Sequence, residues 1–168
     1  MATTYTLISS VTVGAGGATS IEFTSIPSTY TDLVILASLR STGTNGAGVL
    51  YFNNDTTNAN YSVKRLGYAP TPFSDSYSAP YCFYSTKSTF TASTFSNNFL
   101  YIPNYRSSNK KSFSADDVAE NNSTTADLYL TAGLWSNTSA ITSIKIQQAI
   151  DVGFVQYSTA YLYGISNA

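Results

Sequence analysis

Short stretches in which apolar and polar residues alternate, separated by Ser, Asn, Gly and Pro, run the length of the chain. A period of two with frequent Val, Ile, Thr, Tyr and Phe predicts β-strands. The clearest is 33–40, where Leu33, Ile35, Ala37 and Leu39 face one way and Val34, Leu36 and Ser38 the other. Both sides begin apolar. That suits a central strand covered on both faces, or one whose outer face meets a neighbouring subunit. Further strands are expected over 5–13, 19–23 (with Ile21 and Phe23 on one face), 49–52, 61–68, 81–84 and 99–102. Three more follow over 128–135, 141–146 and 157–165. In the first of these, Leu128, Leu130, Ala132 and Leu134 share a side; in the last, Ala160 and Leu162 oppose Tyr161, Tyr163 and Ile165.

Between the strands, Gly14, Gly16 and Gly17 mark a turn that uses left-handed backbone angles. Segment 53–60 is rich in Asn and Asp, whose side chains bond to their own backbone. Segment 69–80 holds Pro70, Pro72 and Pro80 and reads as a long surface loop. Segments 107–112, 115–122, 121–125 and 136–140 also read as turns or loops, and 85–98 shows no clear pattern. No substantial helix is expected. About ten short strands predict an all-β fold, an antiparallel two-sheet β-sandwich that is jelly-roll-like, as one domain over 1–168. A barrel is the alternative.

Composition narrows the function. The chain is 43% hydrophobic but only 10% charged, with a net charge of -1. Serine and threonine hydroxyls therefore keep its surface wet. A nucleic-acid partner is excluded because phosphate binding needs a basic patch, and the closest groupings are Lys64-Arg65 and Lys110-Lys111. With one cysteine, Cys82, and no histidine, no intrachain disulfide, zinc cluster or His-based triad can form. No run approaches the roughly 18 apolar residues of a membrane helix, so no membrane insertion is expected. The start, Met1-Ala2-Thr3-Thr4, lacks a leader pattern, and synthesis in a cytoplasm is the expectation.

The remaining chemistry is sparse. Asp116, Asp117 and Glu120 form the one tight acidic cluster, read as a solvated loop with calcium as the sharper alternative. A glycan hydrolase would need two such carboxylates in one cleft. No cofactor is expected, and no enzymatic activity. Aromatic rings are the abundant binding resource. Tyr68, Tyr77, Tyr105 and Trp135, near predicted loop edges, are candidates to stack on sugars or anchor a protein contact. Tyr5, Val34, Leu36, Tyr161 and Tyr163 are candidate interface residues.

Several landmarks recur in order along the chain. They are Tyr5-Thr6-Leu7-Ile8-Ser9-Ser10-Val11-Thr12-Val13, the segment 21–33, Asn60-Tyr61-Ser62, and Ile102-Pro103-Asn104-Tyr105 followed by 107–110. Then come Gly133-Leu134-Trp135, Ala140-Ile141-Thr142-Ser143-Ile144 and Leu162-Tyr163-Gly164-Ile165. In this the chain resembles a family of small structural proteins of tailed bacteriophages. The resemblance implies a virion protein of head-decoration, tail-appendage or fibre-tip type. Its partners would be capsid or tail subunits and copies of itself. A receptor- or carbohydrate-binding tip, taking a host-surface glycan, is the alternative. The segment 69–94 lacks the glycine-rich character of the family.

Overall fold

A computed structural model describes residues 4–122, 125–150 and 152–166. The leader reading at residues 1–3 and positions 123 and 124 of the polar turn lie outside the described residues. Twelve strands follow in chain order. They are β1 (Tyr5–Thr12), β2 (Ser20–Phe23), β3 (Asp32–Ser38), β4 (Ala47–Phe52), β5 (Tyr61–Tyr68) and β6 (Pro72–Tyr77). The rest are β7 (Tyr81–Tyr84), β8 (Asn97–Ile102), β9 (Lys111–Glu120), β10 (Ala126–Trp135), β11 (Ile144–Gln148) and β12 (Thr159–Ile165).

They build an antiparallel two-sheet β-sandwich. The large sheet has eight strands in the order β1-β12-β3-β8-β9-β10-β5-β6; the small sheet has four, β2-β11-β4-β7. Eight of the eleven connections cross from one sheet to the other. The exceptions are the hairpins β5-β6, β8-β9 and β9-β10.

The core between the sheets takes alternate residues from each strand. From the large sheet come Leu33, Ile35, Leu100, Phe113, Trp135 and Leu162; from the small sheet Ile21, Phe23, Leu50, Phe52, Ile144 and Ile146. Phe52 packs edge-on to Phe113 at 5.6 Å and against Trp135 at 5.5 Å. The polar tips of this cluster are satisfied locally. Trp135 Nε1 donates to Asp55 Oδ2 at 2.8 Å. The Tyr61 hydroxyl donates to the Asp55 carbonyl and accepts from the Phe52 amide, both at 3.0 Å.

Two segments expected as loops are strands. Segment 69–80 contains β6, paired with β5 from Tyr68↔Pro72 to Val63↔Tyr77. Its alternation of Phe73, Asp75 and Tyr77 with Ser74 and Ser76 is interrupted only by Pro72, which an edge strand tolerates at its first residue. Segment 115–122 is largely the end of β9. There the buried positions Lys111 and Asp117 are charged and the exposed Val118 is apolar, which blurs the alternation. The unpatterned 85–96 is a loop folded around Arg40. The Arg40 guanidinium donates to the carbonyls of Ser88, Phe90, Thr91 and Thr94. One buried cation thus replaces the ladder hydrogen bonds this stretch lacks.

Candidate functional site

The large sheet has an outer face that the small sheet does not cover, and this face is apolar. Registers place its side chains in rows. One row runs Ser10, Tyr161, Leu36, Phe99, Asp116, Leu130, Leu66 across β1, β12, β3, β8, β9, β10 and β5. A second runs Leu7, Tyr163, Val34, Tyr101, Ser114, Ala132, Lys64 over the same strands. A third, shorter row is Asn97, Val118, Leu128, Tyr68.

Nine of the twelve exposed large hydrophobic side chains among the described residues lie on this face, from Tyr68 at 36% exposure to Leu66 at 53%. Leu66, Tyr68, Val118, Leu128 and Leu130 line a shallow groove of about 470 Å³. Lys64, Asp116 and Glu120 are the exposed charges on it among the described residues. Scattered single apolar residues are ordinary on a surface, whereas a contiguous patch marks an interaction site.

The five expected interface residues all fall on this face. Tyr5, Leu36 and Tyr161 are exposed, and Tyr163 is half-buried beneath Tyr5, with their rings edge-to-face at 6.3 Å. Val34 differs: at 0% exposure, flanked by Tyr101 and Tyr163 on the adjoining strands, it supports the face without presenting itself. Tyr101 is fixed in turn by its hydroxyl, which donates to Asp32 Oδ2 at 2.8 Å.

The other half of the face was not assigned a direction by sequence reasoning. Leu128, Leu130, Ala132 and Leu134 share a side as expected, but that side points outward. The inward side of β10 holds Asp127, Tyr129, Thr131, Gly133 and Trp135. Gly133 is required there because a Cβ would lie 2.1 Å from Phe113 ring atoms. Asp127 is admitted by an ion pair with Lys87 at 2.5 Å.

The candidate ligand residues separate. Trp135 and Tyr105, each 1% exposed, are core residues and present no ring to a ligand. Trp135 ends β10 and Tyr105 lies in the turn between β8 and β9, where its hydroxyl donates to the Pro27 carbonyl. Tyr68 sits on the outer face. Tyr77 is exposed in a different place, the cleft described below.

The acidic cluster is also dispersed. Alternation along β9 sends Asp116 and Glu120 outward and Asp117 inward, so the three cannot ligate one ion. Asp117 is buried against the small sheet. Burial pushes its carboxyl well above the usual carboxylate range, opposed in part by the Asn98 amide, which donates to Oδ1 at 2.6 Å. Among the described residues no group of three or more His, Cys, Asp or Glu is placed to hold a metal ion.

A second concave feature lies on the inner side. The small sheet ends at β7, which packs over β9 and β10, while β5 and β6 extend past it. Beneath this overhang sits Arg65. Its Nε and Nη2 donate to the two carboxylate oxygens of Asp75 at 2.9 and 2.7 Å, and its Nη1 to the Tyr84 hydroxyl at 3.3 Å. The guanidinium lies 4.7 Å from the Tyr77 ring centre and between 5.4 and 5.9 Å from those of Tyr84, Tyr129 and Phe73. Burial works against the charge, but Asp75 and Tyr84 hold the Arg65 proton more tightly than usual. The same Arg65 hydrogen bonds keep the Asp75 carboxyl below its ordinary value. Asp75 was not singled out from sequence, because it fell in an expected loop, and Arg65 was noted only as half of a basic pair, because it occupies the apolar side of its strand.

No family model, no curated protein and no solved structure matches the chain.

Proposed function

We propose that this protein is a structural component of a tailed bacteriophage particle, a surface decoration or short appendage. It attaches to capsid or tail subunits through the outer face of its large sheet. The observation that carries this reading is the sparsely charged outer face, on which nine exposed large hydrophobic side chains gather in two clusters, one on β1, β12 and β3 and one on β9, β10 and β5. The ordered landmarks along the sequence support the phage assignment.

Size argues for a protein partner. Seven strands about 4.8 Å apart span about 29 Å, and three rows about 6.7 Å apart cover about 20 Å. The product, about 600 Å², is three quarters of the roughly 800 Å² per partner of a standard interface. The partner is a flat apolar surface of another particle subunit. Copies of the chain associate through the strand edges β1 and β6, which otherwise expose unpaired backbone groups. The sandwich is jelly-roll-like, a reading favoured by how often the chain passes between its sheets. The protein performs no catalysis, is made in the host cytoplasm and resides in the virion.

The test is the protein content of purified particles, by mass spectrometry, for wild type and a Leu66→Ser, Leu130→Ser double variant. The wild type is expected in particles and the variant is expected to be depleted at least tenfold. Absence of the wild type from particles, or equal incorporation of both, overturns the proposal.

A further inference from the structure

The cleft beneath the β5-β6 overhang lies on the side of the sheet opposite the docking face, and its contents fit a small ligand. It has two lobes that share Arg65 and Tyr84. One, about 250 Å³, adds Asn45, Tyr77 and Tyr81; the other, about 240 Å³, adds Phe73, Asp75 and Tyr129. Drug-sized pockets run to about 300–1,000 Å³, so each lobe suits a single ring-sized unit.

The chemistry selects the ligand class. Arg65 carries five N–H donors, and three are taken by Asp75 and Tyr84. Two remain on a residue only 5% exposed, and a buried donor calls for a partner. Asp75 retains accepting capacity, and its side chain is 28% exposed. The Tyr77 and Tyr81 rings stand edge-to-face at 5.2 Å and offer flat apolar surfaces beside these polar groups.

A ligand must therefore be ring-shaped, apolar on a face and rich in hydroxyls at its rim. It must also be uncharged. Asp75 neutralises Arg65, so an anion finds no free cation there. The aromatic cage around Arg65 is already filled by that guanidinium, so a cationic ligand finds no empty one.

We propose that this cleft binds a neutral pyranose unit of a glycan. The ring packs on Tyr77, and its hydroxyls bond to the Tyr84 hydroxyl and to the open N–H groups of Arg65, while Asp75, from the other lobe, holds both Arg65 and the Tyr77 hydroxyl in place. Such a site would let an assembled particle carry many weak sugar contacts at once, and repetition multiplies their strength.

Saturation-transfer NMR on the full chain tests this, with methyl glycosides of glucose, galactose, mannose and their N-acetylated amino sugars as probes. Sialic acid serves as the anionic comparison. At least one neutral glycoside is expected to bind with a Kd on the order of 1 mM. Tyr77→Ala and Asp75→Asn are each expected to weaken it at least tenfold, with thermal melts showing that each variant is folded. Tyr77 is 40% exposed, so its truncation leaves the core intact. The outer-face double variant is expected to bind sugar as wild type does, which separates this site from the docking reading. No binding by any neutral glycoside, binding of sialic acid alone, or undiminished binding in a folded Tyr77→Ala variant overturns the proposal.

Discussion

Leu100 and Leu130 occupy one sheet but opposite faces, and replacing each by alanine tests which face is the core. Leu100, on β8, is 0% exposed and points between the sheets; Leu130, on β10, is 52% exposed and points away. Truncating a buried leucine removes its transfer energy and leaves a cavity, at a cost of about 2–5 kcal/mol. At Leu130 only about half the side chain is out of water, and solvent fills the space left behind. Full burial of a leucine is worth about 1.5–3 kcal/mol, so Leu130→Ala should cost about 1 kcal/mol or less. Urea unfolding of dilute protein, followed by the fluorescence of the buried single tryptophan Trp135, reads both values. Equal slopes with a much lower midpoint for Leu100→Ala are expected. A one-residue slip of register would exchange the two faces. Hence a Leu130→Ala cost equal to or above that of Leu100→Ala would refute both the strand registers and the docking face built on them.

Two further variants probe the interior. The Asp117 carboxyl holds its proton more tightly folded than unfolded, so below about pH 4 both states are protonated and burial carries no ionisation penalty. As pH rises from there toward the raised folded value, the unfolded chain releases a proton the folded one keeps, and stability falls by up to about 1.4 kcal/mol per pH unit. Asp117→Asn should therefore match wild type near pH 4 and become progressively more stable than it as pH rises from there toward the raised folded value. Parallel urea midpoints across that range would contradict the assignment. Gly133→Ala forces a methyl against the Phe113 ring and should cost about 1–3 kcal/mol. Adding Phe113→Leu should recover part of that loss in the same urea assay, and no recovery would mean that another group fills the space above Gly133.

Alternation alone determined most of the strands of this protein. β5 and β7 match the expected 61–68 and 81–84, and the inward sets Leu33, Ile35, Ala37 and Ala160, Leu162 were readable directly. This works because side chains on a strand alternate strictly, so a one-sided apolar set has one place to go. Pattern failed where both sides of a strand carry apolar residues. For β10 it grouped Leu128, Leu130, Ala132 and Leu134 on one side without saying which way that side points, and the aromatic Tyr129 and Trp135 claim the interior. Only the packing of Phe113 over Gly133 and the pairing of Asp127 with Lys87 decide that orientation. Pattern also failed at buried charges. Arg40, Arg65, Lys111 and Asp117 lie inside because of partners distant in sequence or supplied by neighbouring loops. The tertiary structure alone assembled the outer face, whose side chains come from seven strands scattered along the chain. It alone also opened the cleft, which exists because the large sheet has more strands than the small one can cover.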